Sequence, residues 1–281
     1  MKVLSDKCQA CKKCEKLCPV DGIDVDNNRF SKACIKCYHC AAICPEQAID
    51  NSDNTIGLTS QNNIKPSDFE LLMQQRRSHR IFTSRAVSPE ILSEFIERMR
   101  YSPTASNLQS LQFTTVTCKE KLKEINALTT STLIDAFKGI NAITKPFIRI
   151  FLGKEALRNM EKSKHKFLDK ANQKKSIITY NAPALILIHS TNNPVGMPCN
   201  DANIWTGMAT LYAELLDLCT CINGYIVSAS KRNKKLKATL QIPKDHTIHS
   251  AILIGYPKYK FENRIDRRKP NIRHITSQEN Q

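Results

Sequence analysis

Eight of the twelve cysteines lie within the first 44 residues, and their spacing is regular. The pattern C-x2-C-x2-C-x3-C-P occurs twice, with a period of 26 residues. Three thiolates on one tight loop can bind three irons of a cubane, whereas the fourth cysteine, before the proline, points to the other cluster. The pattern therefore predicts two 4Fe-4S clusters that exchange their fourth ligands. One set is Cys8, Cys11, Cys14 and Cys44, and the other is Cys34, Cys37, Cys40 and Cys18.

The alternative is a pair of four-cysteine zinc sites, which also use C-x2-C spacing. Zinc needs only paired cysteines, so the third regularly spaced cysteine and the proline, each present twice, favour clusters. The first 55 residues or so resemble the bacterial two-cluster ferredoxin. This resemblance implies a small domain whose β-hairpins are held together mainly by its clusters.

Composition is that of a folded protein of two domains. The chain has 281 residues, 41% of them hydrophobic and 24% charged, and its mean hydropathy is −0.38. No apolar run approaches the length of a membrane span, and the first ten residues lack the apolar core of a signal peptide. Twelve cysteines without a secretion signal indicate a reducing compartment, so we expect a cytoplasmic protein. The eight glycines form neither a Rossmann turn nor a P-loop.

Charge divides the chain where the cysteines do. Residues 1–60 carry eight basic and eight acidic side chains, so the whole excess of +16 belongs to the remainder. A polar stretch that ends at Pro66 is typical of a linker. We therefore predict a cluster domain over residues 1–58, a linker over 59–66 and a second domain over 67–281.

The elements of the second domain are mixed in type. Ser67 and Glu70 have the spacing of a capping box at a helix start. Ser88, followed by Pro89, predicts the start of a second helix. Strands are predicted over 113–117, 184–188 and 251–254, and a heavily buried helix over 204–216. The order lacks regular βαβ alternation, which favours an α+β fold.

Five motifs in order resemble those of the FMN-dependent nitroreductase family, over residues 66–275. They are Arg76-Arg77-Ser78-His79-Arg80, the stretch from Ser102 to Gln109, Asn181-Ala182-Pro183, the stretch from Cys219 to Tyr225, and Gly255-Tyr256-Pro257 with the basic residues 264–269. The resemblance implies an α+β domain with a central mixed sheet and a non-covalent FMN. Together with the first domain, the chain resembles a ferredoxin–nitroreductase fusion.

The resemblance also implies which residues bind FMN. Arginines can bind the phosphate in bidentate fashion, and the amides of the 103–109 loop can pair with the flavin or its ribityl chain. The backbone around Gly224 is expected against the isoalloxazine. The implied FMN residues are Arg76, Arg77, Ser78, Arg80, Pro103, Thr104, Ala105, Ser106, Asn107, Gln109, Ile222, Asn223, Gly224 and Arg268.

Other residues with possible chemistry receive a structural interpretation. The four remaining cysteines have no recognisable partner, so we expect inert thiols rather than nucleophiles. Trp205 is expected in the core. The basic segment 131–180 matches no motif and indicates no substrate.

Three functions are compatible with the sequence. The first is an oxidoreductase that passes electrons from the clusters to FMN and on to a small organic acceptor, such as a nitroaromatic or a quinone. Its donor would be reduced ferredoxin or NAD(P)H, and the resemblance implies a homodimer. The second is an electron carrier or redox sensor without a substrate. The third is a basic nucleic-acid-binding protein, which the spread of charge and the lack of a recognition module disfavour. We therefore expect neither nucleic acid nor membrane as a partner.

Overall fold

The computed structural model describes residues 1–50, 63–173, 176–191 and 196–275. The predicted domain boundary at residue 58 and residues 59–62 of the predicted linker lie outside the described residues, whereas residues 63–66 are described. Among them, no helix combines the length and apolar character that crossing a membrane requires.

The cysteine-rich part consists of two short two-stranded sheets and two short helices. Strand β1 pairs with β4 and β2 pairs with β3, in both cases antiparallel. A small core that includes Val3, Ile23, Val25 and Ile49 lies between them. The elements are β1 (Lys2–Val3), α1 (Lys13–Leu17), β2 (Ile23–Asp24), β3 (Arg29–Phe30), α2 (His39–Ile43) and β4 (Ile49–Asp50).

The larger part is built on a four-stranded sheet of order β5-β6-β8-β7. The three ladders are antiparallel, and a single parallel bridge between Ser78 and Thr220 extends the sheet at the β7 edge. A sheet with both parallel and antiparallel pairing was expected. In the described part of the chain, its parallel pairing is limited to this bridge. The strands are β5 (Gln112–Val116), β6 (Ala184–Thr191), β7 (Cys219–Ile222) and β8 (His246–Gly255).

Helices cover both faces of this sheet because the central strands are apolar on both sides. Leu185 and Leu187 face a core formed with the helices on one side of the sheet. Ile186 and Ile188 face the opposite core, where Trp205 and Phe95 pack. The helices are α3 (Pro66–Gln75), α4 (Pro89–Arg98), α5 (Lys119–Lys138), α6 (Thr144–Leu152), α7 (Lys154–Asn172), α8 (Pro198–Leu215), α9 (Gly224–Ser230) and α10 (Lys234–Thr239).

Two predicted helix starts have different outcomes. At α4, the Ser88 hydroxyl accepts a hydrogen bond from the Ile91 N–H, as predicted. At α3, the prediction of a box from Ser67 and Glu70 is wrong. The helix begins at Pro66, and the Asp68 carboxylate accepts from the Lys65 N–H at 3.3 Å. Proline is well suited to the first helical position, and the N-cap is Lys65, two residues before the predicted Ser67.

Candidate cofactor sites

The eight thiols of the repeat line two cavities, four to each. A cavity of about 100 Å³ is lined by one set, and a smaller one of about 20 Å³ by the other. The first set is Cys8, Cys11, Cys14 and Cys44, and the second is Cys18, Cys34, Cys37 and Cys40. This division is the same as that of the exchanged sets, while the metal content stays a prediction. Within the described ranges, no three potential ligands converge as they would on one metal ion.

The backbone of the repeat also recurs after 26 residues. Ala10 and Lys36 both have φ of 50°, in the left-handed region. The fourth cysteine of each copy accepts a backbone hydrogen bond, from the Gly22 N–H to Cys18 Sγ at 3.0 Å and from the Ala48 N–H to Cys44 Sγ at 3.3 Å. Such donors stabilise a coordinating thiolate, and they are a means by which proteins tune iron–sulfur centres. Four thiols in each set and these backbone donors have the chemistry that a 4Fe-4S cluster would require, and the clusters themselves stay a prediction.

Residues 76–80, called the arginine motif below, lie along the open edge of β7. Helix α3 ends at Gln75, and the chain then passes β7, where the His79 N–H donates to the Thr220 carbonyl at 2.9 Å. Because β7 ends at Ile222, this contact brings residues 76–80 close to residues 222–224. Two motifs far apart in sequence are thus neighbours.

The C-terminal segment packs against the same motif. Arg77 Nη2 donates to the Ile265 carbonyl at 3.4 Å, and Arg264 Nη1 donates to Gln74 Oε1 at 3.1 Å. Arg268 follows three residues after Ile265. In the described part of the chain, no ion pair within 4.0 Å occupies Arg76, Arg77, Arg80 or Arg268. Their charge is available to an anion, and the dipole at a helix C-terminus repels anions, so the guanidinium groups would have to supply the attraction.

Glu214 of α8 is a neighbour of this motif that the sequence did not indicate. Burial raises the pKa of its carboxyl, and the nearby Arg76 acts in the opposite direction. Its Oε1 atom is buried without a hydrogen-bond partner.

Residues 222–224 border an open cavity of about 420 Å³, which Lys231 and Arg232 also line. Ile222 is 51% exposed, and a Cβ atom at Gly224 would meet no protein atom within 4 Å. There is therefore room for a planar group against this backbone.

Asn223 differs from its neighbours because its polar groups already make hydrogen bonds within the protein. Its N–H donates to the Ala251 carbonyl, its Oδ1 accepts from the Ile226 N–H, and its Nδ2 donates to the Ile178 carbonyl at 2.7 Å. These bonds use one of the two Nδ2 donors and one of the two Oδ1 lone pairs, and the contact of Asn223 with FMN stays a prediction.

The loop that contains Pro103, Thr104, Ala105 and Ser106 is anchored to α8. The Ala105 N–H donates to Asp201 Oδ1 at 2.9 Å, and Asp201 is 2% exposed. The sequence did not indicate this anchor, because an acidic residue in the first turn of a helix is common.

The two amides of this loop bond to protein groups. Gln109 Nε2 donates to Asn107 Oδ1, and Asn107 Nδ2 donates to the Ile35 and Lys36 carbonyls. The hydrogen bonds of the described residues do not connect this loop with residues 76–80 or 222–224. The pairing of both amides with a flavin stays a prediction.

The remaining buried cysteines are unsuited to nucleophilic chemistry. Burial raises the pKa of the Cys219 thiol to about 12, and it also raises the pKa of Cys221. Both thiols remain protonated near neutral pH, as expected of inert structural residues.

Comparison with known proteins identifies the larger domain. Residues 73–256 match the model of the nitroreductase family. A nitroreductase with bound FMN from Desulfitobacterium hafniense is 19% identical, with a TM-score of 0.54 over 74% of this chain and 97% of its own. A nitroreductase from Bacteroides fragilis, also with bound FMN, is 16% identical, with a TM-score of 0.52 over 74% of this chain and 97% of its own. An FMN-dependent nitroreductase from Clostridium difficile is 21% identical, with a TM-score of 0.50 over 75% of this chain and 100% of its own.

Curated protein sequences give no significant match. The structural neighbours support the α+β fold expected from the sequence. The family match covers more than half of the chain, and it spans the arginine motif, the 103–109 loop and residues 222–224. The chain belongs to the nitroreductase family.

Proposed function

We propose that this protein is an iron–sulfur flavoprotein that takes single electrons at two 4Fe-4S clusters and delivers electron pairs to a small organic acceptor. The observation that carries the proposal is the division of the eight repeat thiols between two cavities, in a chain whose other domain belongs to the nitroreductase family. Bound FMN would supply the conversion between one-electron and two-electron steps.

The protein residues hold and orient the flavin in this proposal. Arg76, Arg77 and Arg268 bind the phosphate, and Ser78 donates its hydroxyl to the phosphate or the ribityl chain. The open space at Gly224 accommodates the ring system. No side chain has to act as a nucleophile, which agrees with the protonated state of Cys219 and Cys221.

We also infer a homodimer. Ile204, Met208 and Leu215 of α8 are 44%, 41% and 64% exposed, although the opposite side of α8 is buried in the core. Burying this second apolar face against another copy would be favourable. It would also allow the 103–109 loop of one subunit to approach a flavin held by residues 76–80 of the other.

The acceptor we propose is a nitroaromatic or a quinone, and the donor is reduced ferredoxin or NAD(P)H. All twelve cysteines are free of disulfides, which suits a reducing compartment inside the cell.

Anaerobic purification of the full chain tests the proposal. We expect eight irons, eight sulfides and one FMN per chain, with turnover of a model quinone or nitroaromatic. Cys118→Ala serves as the control, because this exposed cysteine lies outside the repeat. Stoichiometric zinc without sulfide would refute the clusters. Full cofactor content without turnover of any acceptor would favour an electron carrier.

A further inference from the structure

Among the described residues, two hydrogen bonds join the cysteine-rich part to the larger domain, and Asn107 makes both. Its Nδ2 atom donates to the Ile35 carbonyl at 3.2 Å and to the Lys36 carbonyl at 2.8 Å. Ile35 and Lys36 lie between two thiols of the second set, Cys34 and Cys37. The contact therefore joins a cysteine loop directly to the 103–109 loop.

The orientation of the Asn107 amide is fixed by a neighbour. Gln109 Nε2 donates to Asn107 Oδ1 at 3.1 Å, so the amide oxygen is engaged and the NH₂ group faces the two carbonyls. An amide in the opposite orientation would place oxygen against oxygen. This arrangement can be disrupted without changing the size of the side chain.

The loop that carries Asn107 is held in an uncommon conformation. Ser106, Asn107 and Gln109 have φ of 50°, 53° and 47°. Asparagine tolerates this left-handed region better than most residues, but three such residues in four positions require support. The hydrogen bond from Ala105 to the buried Asp201 supplies part of that support. A loop anchored in this way holds its amide in place.

The contact with Asn107 distinguishes the two cysteine loops of the repeat, which are otherwise alike. Gln9 and Ala10 occupy the corresponding positions of the first loop, and Ala10 shares the backbone conformation of Lys36. In the described ranges, Gln9 and Ala10 have no hydrogen bond to the larger domain. Ile35 lines the cavity of the second thiol set, as Gln9 lines that of the first, so the loops differ in the contact with Asn107 and not in the lining. Asn107 thus contacts the wall of one particular cavity.

We propose that Asn107 is a positioning residue that docks the second cysteine loop, residues 34–40, on the flavin domain. The cluster nearest the flavin is then the one held by the second thiol set, Cys18, Cys34, Cys37 and Cys40. The inference rests on the proposed iron–sulfur function. Docking keeps the loop beside its acceptor domain and so raises the effective concentration of the electron donor. Both bonds join neutral groups, so this contact resists salt better than charge attraction between the domains does.

Asn107→Asp in the full-length holoprotein is the main test. The substitution preserves size but turns an acceptor oxygen toward two carbonyls. Gln112→Glu is the matched control, since it makes the same change of amide to carboxylate at an exposed position of β5. Iron, sulfide and FMN are counted first in each protein. Their absence from the wild type would refute the proposed function, whereas docking itself is measured independently by hydrogen exchange.

Hydrogen exchange of a peptide covering residues 33–38 reports docking. We expect exchange about tenfold faster in Asn107→Asp, because undocking opens the backbone N–H groups of this loop to solvent, and unchanged exchange in Gln112→Glu. We also expect FMN fluorescence per bound flavin to rise in Asn107→Asp, because the nearest cluster quenches it less after undocking. Reduction of the flavin through the clusters should slow about tenfold.

Unchanged exchange over residues 33–38 in Asn107→Asp would overturn the docking role. Loss of FMN with unchanged exchange would also overturn it, and would assign Asn107 to the flavin. If Asn107→Asp does not fold, Gln109→Leu takes its place, because it removes the bond that orients the amide. The same faster exchange is expected there, and its absence would likewise overturn the proposal.

Discussion

The Nδ1 atoms of His189 and His246 lie 2.8 Å apart within the larger domain. At least one of the two must be unprotonated, because two N–H groups cannot face each other in a hydrogen bond. The contact lies where the polar ends of β6 and β8 pair, and both imidazoles are buried. It links the stability of the sheet to pH.

Stability should fall as the pH drops below about 6.5. Burial, followed by the nearby His246, lowers the pKa of His189 to about 4 from an ordinary 6.5. The unfolded chain therefore binds a proton in this window that the folded protein does not. We expect a loss of about 2 kcal/mol between pH 7 and pH 5. Urea unfolding followed by the fluorescence of Trp205 measures it. His189→Gln should flatten the dependence, whereas substitution of the exposed His165 should not.

Cys18→Ala should damage the cluster bound mainly by the opposite loop. Cys18 lines the same cavity as Cys34, Cys37 and Cys40, so its loss removes the fourth ligand of that set. We expect the iron content to fall by about half. Cys199→Ala is the control, since Cys199 is exposed and distant in sequence. Loss confined to a cluster of the first set would show that the ligands are not exchanged.

Arg268→Ala should weaken FMN binding about ten- to a hundredfold, because one charge-assisted contact contributes about 1.5–3 kcal/mol. Titration of the apoprotein with FMN gives the affinity. Arg273→Ala removes the same charge from the same exposed segment and should change affinity far less. Equal affinities in the two variants would remove Arg268 from the site.

Met208→Arg should dissociate the proposed dimer. A charge placed on the exposed apolar face of α8 would have to be desolvated at the interface. Sedimentation of the full-length protein reports the oligomeric state. Ile150→Arg, at a 75% exposed apolar position of α6, is the control. A wild-type monomer with full FMN content would contradict the proposal.

Sequence patterns predicted those elements whose cause is local. The strand predicted over 184–188 corresponds to β6, and Trp205 is 2% exposed, as expected. The strand predicted over 251–254 is only the apolar half of β8, which begins at His246. The other half is missing from the prediction because its polar residues pair with the polar end of β6, a relationship that no local pattern records.

The candidate sites likewise combine features that the sequence predicts with contacts that only the folded structure shows. The thiol sets follow from spacing alone, since the two loops are near-identical local structures. The contact between Asn107 and the Lys36 carbonyl joins residues 71 positions apart. Asn107 would serve equally well as a flavin ligand on chemical grounds, so only the folded arrangement identifies its partner.

The parallel bridge between Ser78 and Thr220 has a further consequence for solubility. Strand β7 is at the edge of its sheet, and residues 76–80 cover part of that edge at Thr220 through this bridge and the hydrogen bond from the His79 N–H. Exposed strand edges template aggregation. The phosphate of FMN would restrain this same segment, so loss of the cofactor should loosen the cover and expose the edge. We therefore expect light scattering to show that the FMN-free protein self-associates more readily than the loaded protein.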